Sequence, residues 1–148
     1  MARNVIEVAN RIICLARPDI GDLISNLKVQ KLLYYVQGFS LAMHDKPLFN
    51  EDIYAWTYGP VVKEAYNHFK EFGSGHIELS NEDFEKYYVE FSDAETQLIC
   101  DVWEAYGQYS AFRLMEFTHE ESPWRTTPIN QIISHKKLKD YFLTQLKE

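Results

Sequence analysis

Apolar residues recur at intervals of three and four along most of the chain, which is the spacing of one face of an α-helix. Residues that commonly cap helices precede several of these patterns, and Ser-Asp-Ala-Glu at positions 92–95 is a capping box. The predicted helix starts are Val5, Ser25 or Asn26, Pro60, Ser92, Ser110, and Ser134 or His135. The chain is therefore predicted to form about six helices.

Strand signals are few. Residues 53–56 (Ile-Tyr-Ala-Trp) form a short β-prone run, and residues 57–60 follow it as a turn whose Pro60 is expected to open the next helix. Residues 76–91 are ambiguous, although residues 77–79 could pair with the first strand as a hairpin. With no internal repeat and no dividing linker, the prediction is mainly α: a single compact helical domain over residues 1–148, with at most one small β-hairpin.

The second and last helices carry further expectations. Gly38 lies inside the second helix, where glycine is unfavourable, so a neighbouring element is expected to approach closely there. The apolar stripe of that helix is Val29, Leu32, Leu33, Val36 and Phe39, with Lys28, Gln30, Lys31 and Gln37 on other faces. The inward residues of the last helix are predicted to be Leu138, Tyr141, Phe142 and Leu146.

Composition narrows the function. The 148 residues are 46% hydrophobic and 25% charged, as in ordinary globular proteins, but 15% are aromatic, and aromatic side chains are enriched in protein interfaces. The net charge of −7 argues against nucleic acid as the main partner, since phosphate backbones are bound by clustered cations. The one local cluster, Lys136, Lys137 and Lys139, is equally explained by an exposed helix end.

The sequence predicts a cytoplasmic protein with no membrane partner, metal or cofactor. Cys14 and Cys100 are far apart and suggest free thiols, the N-terminus is not a signal peptide, and no apolar run approaches the ~18 residues of a membrane span. No pair of histidines has the spacing of a zinc site. An enzyme remains an alternative, because His119 is flanked by Glu116, Glu120 and Glu121 and an acid–base pair could form there.

Three segments, taken in order, resemble the Panacea domain family, which is also described as phage-associated GepA-like proteins and includes a SocA-type proteolytic adaptor. Residues 28–38, KVQKLLYYVQG, are similar to the KLQKLLYYAQG helix of that family. Residues 55–62 resemble its AWxYGPVV signature, and residues 118–124, THEESPW, resemble its element in which Thr-His precedes Pro-Trp. Together the three elements lie within residues 26–124.

The resemblance implies an antitoxin that binds and neutralises a cognate toxin encoded by an adjacent gene. It also implies, for SocA-type members, delivery of the toxin to a ClpXP-type protease. The net negative charge would suit a basic toxin. A phage-derived transcriptional regulator that binds DNA remains an alternative, and a homodimer is left open. Candidate partner-binding residues are Gln30, Lys31, Tyr34, Trp56, Tyr58, Gly59, Pro60, His119 and Trp124.

The candidates on turns are singled out because rings on turns are less fully explained by core packing than residues on buried helical stripes. Trp56 and Trp124 have a second interpretation, in which they hold two loops together. The two interpretations differ in whether replacing these residues would impair binding alone or the fold as well.

Overall fold

The computed structural model describes residues 2–17 and 23–146, and within them the predicted mainly α class is confirmed. Pro18 and Gly21, at which the first helix was expected to end, lie outside the described residues. The helices are α1 (Val5–Ile13), α2 (Asn26–His44), α3 (Lys63–Phe69), α4 (Asn81–Lys86), α5 (Asp93–Tyr106), α6 (Ala111–Glu120), α7 (Ser122–Arg125) and α8 (His135–Leu143). The strands are β1 (Ile53–Trp56), β2 (Gly59–Val61) and β3 (Ile132–Ile133).

Four of the long helices begin directly after a capping serine, at positions that the sequence predicts. Each hydroxyl accepts a hydrogen bond from a backbone N–H of the first turn, a group that the helix itself leaves without a partner. At α5 the capping box is complete, because the Glu95 side chain also accepts from the N–H of Ser92. The capping serines are Ser25, Ser92, Ser110 and Ser134.

The long helix α2 is the centre of the fold. It packs against α1, α3, α5, α6, α8 and β2 and is buried on all sides over most of its length. A helix surrounded in this way must bury its polar residues together with its apolar stripe. Lys28, Gln30, Lys31 and Gln37, which the sequence places on faces away from that stripe, are accordingly buried.

Gly38 allows α8 to approach the middle of α2. A Cβ atom at Gly38 would lie 2.2 Å from two ring carbons of Phe142, a separation that real Cβ atoms do not show. Phe142 in turn makes edge-to-face contacts with the rings of Tyr34 and Tyr35. The close approach predicted from the glycine is confirmed, and the element that makes it is α8.

The sheet differs from the predicted hairpin. Its strand order is β2-β1-β3, all antiparallel, and β1 pairs with β3 near the chain end; residues 77–79 were the wrong candidates for a partner. Instead, the Ile77 N–H donates to the carbonyl of Ile24. Short helices α4 and α7 add to the six expected ones, and Pro123 lies in the first turn of α7.

Two further predictions were wrong. Pro60 does not open a helix: it lies in β2 opposite Ala55, and α3 begins at Lys63. Proline has no N–H to donate and is tolerated in an edge strand, and β2 is such an edge. Leu146 lies beyond the end of α8 and is 38% exposed, so it does not pack inward. Among the described helices, none has both the length and the apolar character needed to cross a membrane.

Candidate protein-binding site

The three signature segments meet beside the β1–β2 turn. The Lys31 ammonium, fully buried on α2, donates a hydrogen bond of 3.1 Å to the carbonyl of Pro60. Gly59 has a φ of +106°, and a Cβ atom there would lie 2.9 Å from both Lys31 Cε and Thr118 Oγ1. Glycine is therefore required at position 59 for two reasons, its backbone conformation and the closeness of its neighbours.

The tryptophan indole of α7 fixes the other side of the turn. Trp124 Nε1 donates to the carbonyl of Trp56 at 2.8 Å, and the imidazole of His119 stacks on the Trp124 ring with centroids 4.1 Å apart. The Trp56 ring makes an edge contact with Tyr66 of α3. Trp56 and Trp124 thus connect the turn after β1 to the segment after α6, which was one of the two interpretations of these residues.

Gln30 joins α2 to the segment that follows β2. Its Oε1 accepts from the Val62 N–H at 2.9 Å, and its Nε2 donates to Asn26 Oδ1 at 2.9 Å. Val62 is thereby held in an extended conformation immediately before α3, without a side-chain cap from its own residue. This contact explains why the helix begins three residues after the proline that was expected to open it.

Tyr34 points away from the turn, toward a carboxylate that the sequence did not single out as a binding residue. Tyr34 and Tyr35 donate to the two oxygens of Glu121, each at 2.9 Å. Burial raises the pKa of Glu121 to about 7, although the tyrosine hydrogen bonds oppose the shift. The position of Glu121 inside the 118–124 signature was the available signal, but sequence spacing could not show that two tyrosines from α2 meet it.

Lys31 is a second ionisable group placed in the interior. Burial lowers its pKa from 10.5 to about 7, and the Pro60 carbonyl to which it donates is neutral. Lys31 and Glu121 do not pair with each other, so each is stabilised by local hydrogen bonds within its own part of the core. Lys31 fixes the position of a backbone carbonyl, and Glu121 fixes the positions of two tyrosine rings.

The acid–base pair considered at His119 does not form in the structure. Glu121 is engaged by the two tyrosines, while Nε2 of His119 is buried and has no hydrogen-bond partner among residues 2–17 and 23–146. The half-buried imidazole instead packs on Trp124. The local geometry therefore provides an aromatic stack where a carboxylate–imidazole couple would have been needed for proton transfer.

The sequence comparison identifies the family. The family described as Antitoxin SocA-like, Panacea domain matches residues 29–125, which is more than half of the chain. This protein belongs to the SocA-like antitoxin family. The matched span contains α2 from Val29 onward, the β1–β2 hairpin and the segment from α6 to α7, so it includes the three signature segments except for Lys28 at the start of the first.

One curated relative gives a partial match. Antitoxin SocA of Caulobacter vibrioides (strain NA1000 / CB15N) is 43% identical over 54 residues. The alignment covers 36% of this chain and 29% of the relative, so the chain spans less than a third of the relative's length. No solved structure shows a significant match.

Within this Panacea domain the candidate residues divide by exposure. Gln30, Lys31, Tyr34, Gly59 and Pro60 are buried, and Trp56, His119 and Trp124 are half-buried. Tyr58, at the tip of the β1–β2 turn, is 66% exposed. Ile129 and Ile132 are also exposed, and the hydrogen bond from the Asn130 N–H to the Ala55 carbonyl sets their segment beside β1. We call Tyr58, Ile129 and Ile132 the turn surface.

Proposed function

We propose that this Panacea domain is an antitoxin that neutralises a cognate toxin by binding it directly, and that the turn surface lies in the contact. The main supporting observation is that Tyr58 is exposed on a turn whose residues on both sides are held by hydrogen bonds. The carbonyls of Trp56 and Pro60 accept hydrogen bonds from Trp124 and Lys31, on either side of it. An aromatic ring presented from a fixed backbone loses little entropy on binding, which is typical of interface hot spots.

The family membership supports the toxin as the partner, and the net charge of −7 supports a basic one. On the resemblance to the SocA-type adaptor, we further propose that the bound toxin is delivered to a ClpXP-type protease. Incubation of toxin, this protein and purified ClpXP should then shorten the lifetime of the toxin. A toxin that is neutralised but stays intact would leave binding as the whole mechanism.

The test of the binding proposal uses two exposed aromatic residues. Co-expression of this chain should restore growth arrested by the product of the adjacent gene, and the two proteins should co-purify. Tyr58→Ala should weaken binding at least about tenfold, as loss of a hot-spot ring does. It should change the free energy of unfolding by no more than about 0.5 kcal/mol, as most surface substitutions do.

Phe112→Ala is the matched control, because Phe112 on α6 is 63% exposed and lies outside the turn surface. This variant should neutralise the toxin as well as the unchanged protein does. Equal loss of neutralisation in both variants would contradict the placement of the contact. A neighbouring gene product that neither arrests growth nor co-purifies would contradict the proposed function at this locus.

A further inference from the structure

A second surface, distant in sequence from the turn, contains a buried polar side chain that has no partner among the residues that the structure describes. The groove between α1 and residues 81–96, which we call the α1 groove, is lined by residues including Glu7, Asn10, Arg11, Phe84, Tyr88 and Phe91. Asn10 is only 4% exposed. Neither its Oδ1 nor its Nδ2 has a hydrogen-bond partner among residues 2–17 and 23–146.

An unpaired buried carboxamide is unusual in a folded protein. Buried polar side-chain atoms are nearly always hydrogen-bonded, because removing them from water without compensation destabilises the fold. The polar residues on α2 follow that rule: Gln30 and Gln37 each bond through both carboxamide atoms. The exception at Asn10 therefore points to a group from outside the chain.

The carboxamide specifies the chemistry of that group. It offers one acceptor and an adjacent pair of donors, so its complement is a group that presents a donor and an acceptor side by side. In an extended chain the N–H and C=O of one residue lie on the same side, and antiparallel strands use both to pair with a single opposite residue. Asn10 can take the place of that opposite residue and bind the backbone of an extended segment.

Two exposed aromatic rings extend the same groove. Phe84 and Tyr88, near the end of α4, are 42% and 65% exposed, and their ring centroids are 5.8 Å apart. Apolar side chains of an extended segment, which alternate along the chain, can pack on these rings while the backbone meets Asn10. The groove thus combines a backbone-binding group with an apolar wall.

The charge of the segment beside the groove favours one kind of partner. Residues 81–96 contain six carboxylates and one lysine. Asp83 and Glu95 are engaged by His68 and Arg3, whereas Glu82, Glu85, Glu90 and Asp93 are exposed. Glu90 lines the groove itself, together with Glu7 and the cation Arg11 of α1. The surplus of exposed carboxylates favours a basic segment and disfavours an acidic one.

We propose that the α1 groove binds a basic, extended segment of another protein, with the Asn10 carboxamide pairing to its backbone. The proposal goes beyond toxin binding at the turn surface and does not depend on it. Phe84 and Tyr88 contact the apolar side chains of the segment, Glu7 and Glu90 contact its cations, and the exposed carboxylates nearby add to the attraction. Asn10 lies outside the span that matches the family, so the α1 groove includes a helix that the family match does not cover.

The test uses the full chain and a defined probe, a blocked, fluorescent hexapeptide of alternating lysine and valine. Fluorescence anisotropy should show saturable binding, and the side-chain amide resonances of Asn10 should shift on titration. Asn10→Leu, which is similar in size, should weaken binding about tenfold or more, the effect of losing two hydrogen bonds. Asn67→Leu on the exposed face of α3 is the matched control and should bind as the unchanged protein does.

A second arm changes only the probe. The same peptide with all of its backbone nitrogens methylated keeps charge and apolar surface but loses the backbone donors. It should bind the unchanged protein about tenfold more weakly and show no further loss on Asn10→Leu, because both changes remove the same contact. A peptide with glutamate in place of lysine should not bind. Tyr58→Ala should leave all of these affinities unchanged, which separates this site from the proposed toxin contact.

Three results would overturn the proposal. These are absence of binding by the lysine–valine peptide, equal affinity for Asn10→Leu and the unchanged protein, or indifference to methylation of the backbone nitrogens. The methylated probe is measured on the unchanged protein, so the second arm remains decisive even if Asn10→Leu folds poorly.

Discussion

Two regions of this protein bury polar side chains with opposite outcomes. On α2, Gln37 is fully buried and its carboxamide bonds to three backbone groups of residues 48 and 49. On α1, the carboxamide of the buried Asn10 bonds to no group in the described part of the chain. Since an unpaired polar group destabilises the folded state, the first arrangement serves the fold and the second is explained by a ligand. The comparison separates residues that maintain this structure from residues available to a partner.

The same distinction applies to the family signature. Most signature residues have partners inside the chain: Lys31 binds the Pro60 carbonyl, Tyr34 binds Glu121, and Trp124 binds the Trp56 carbonyl. Each contact joins segments distant in sequence. A motif of this kind identifies a shared fold and leaves exposed residues between its members, such as Tyr58, free to meet a partner.

The largest expected effect on the free energy of unfolding is at Gln37, whose buried carboxamide is hydrogen-bonded. Gln37→Ala would leave the carbonyl of Phe49 and the N–H groups of Leu48 and Phe49 without partners in a buried region. We expect the free energy of unfolding to fall by roughly 3–5 kcal/mol, measured by urea unfolding. Gln97→Ala, at an exposed position on α5, should change it by no more than about 0.5 kcal/mol. A loss below about 1 kcal/mol at Gln37 would show that the loop finds other partners.

Glu121 is an intermediate case, because the tyrosine hydrogen bonds only partly offset the effect of burial on its pKa. Its folded-state pKa of about 7 lies above its ordinary value of 4.5, so the folded protein holds this proton more tightly than the unfolded chain does. The resulting stabilisation is complete below pH 4.5 and is lost as the pH rises through 7. At about 1.4 kcal/mol per pKa unit, the loss amounts to roughly 3 kcal/mol.

Unfolding measured from pH 4.5 to 8 on the unchanged protein and on Glu121→Gln tests this prediction. The difference in unfolding free energy between the two should change by roughly 3 kcal/mol across that range, since glutamine does not titrate. Lys31, whose pKa is lowered by burial, is present in both proteins, so its own titration cancels in the difference. Glu104→Gln, at an exposed position on α5, should keep the unchanged profile; a parallel profile for Glu121→Gln would refute the burial argument.

The smallest effect on the free energy of unfolding is expected at Asn10. The sign of this change is a sharper test than its size. Asn26 is 3% exposed, and its carboxamide bonds to the Tyr66 carbonyl and to Gln30. Asn26→Leu should therefore lower the free energy of unfolding by about 1–3 kcal/mol. Asn10→Leu should leave it unchanged or raise it by up to about 1 kcal/mol, because no internal hydrogen bond is lost. Equal losses by thermal unfolding would mean that Asn10 serves the fold and would remove the contrast between the regions.

Local sequence determined the helices and much of their boundaries. A serine that caps a helix acts within four residues, so the starts at Ser25, Ser92, Ser110 and Ser134 could be predicted from neighbouring positions alone. Gly38 was also informative, because a glycine inside a helix indicates a close neighbour even when that neighbour is unknown. The three signature segments indicated the family for the same reason, as each is a continuous run of residues.

Only the tertiary structure decided which distant groups meet. Pro60 became part of an edge strand because β1 pairs with β2 and because Gln30, thirty positions earlier, accepts the N–H of Val62. Local sequence likewise could not show whether Asn10 is hydrogen-bonded, since of two buried asparagines Asn26 has partners and Asn10 has none within the described ranges. Backbone propensities act over a few residues, whereas burial and hydrogen-bond partners depend on elements that approach through space. Sequence therefore specified the helices of this protein, and their packing decided which polar groups were left for a partner.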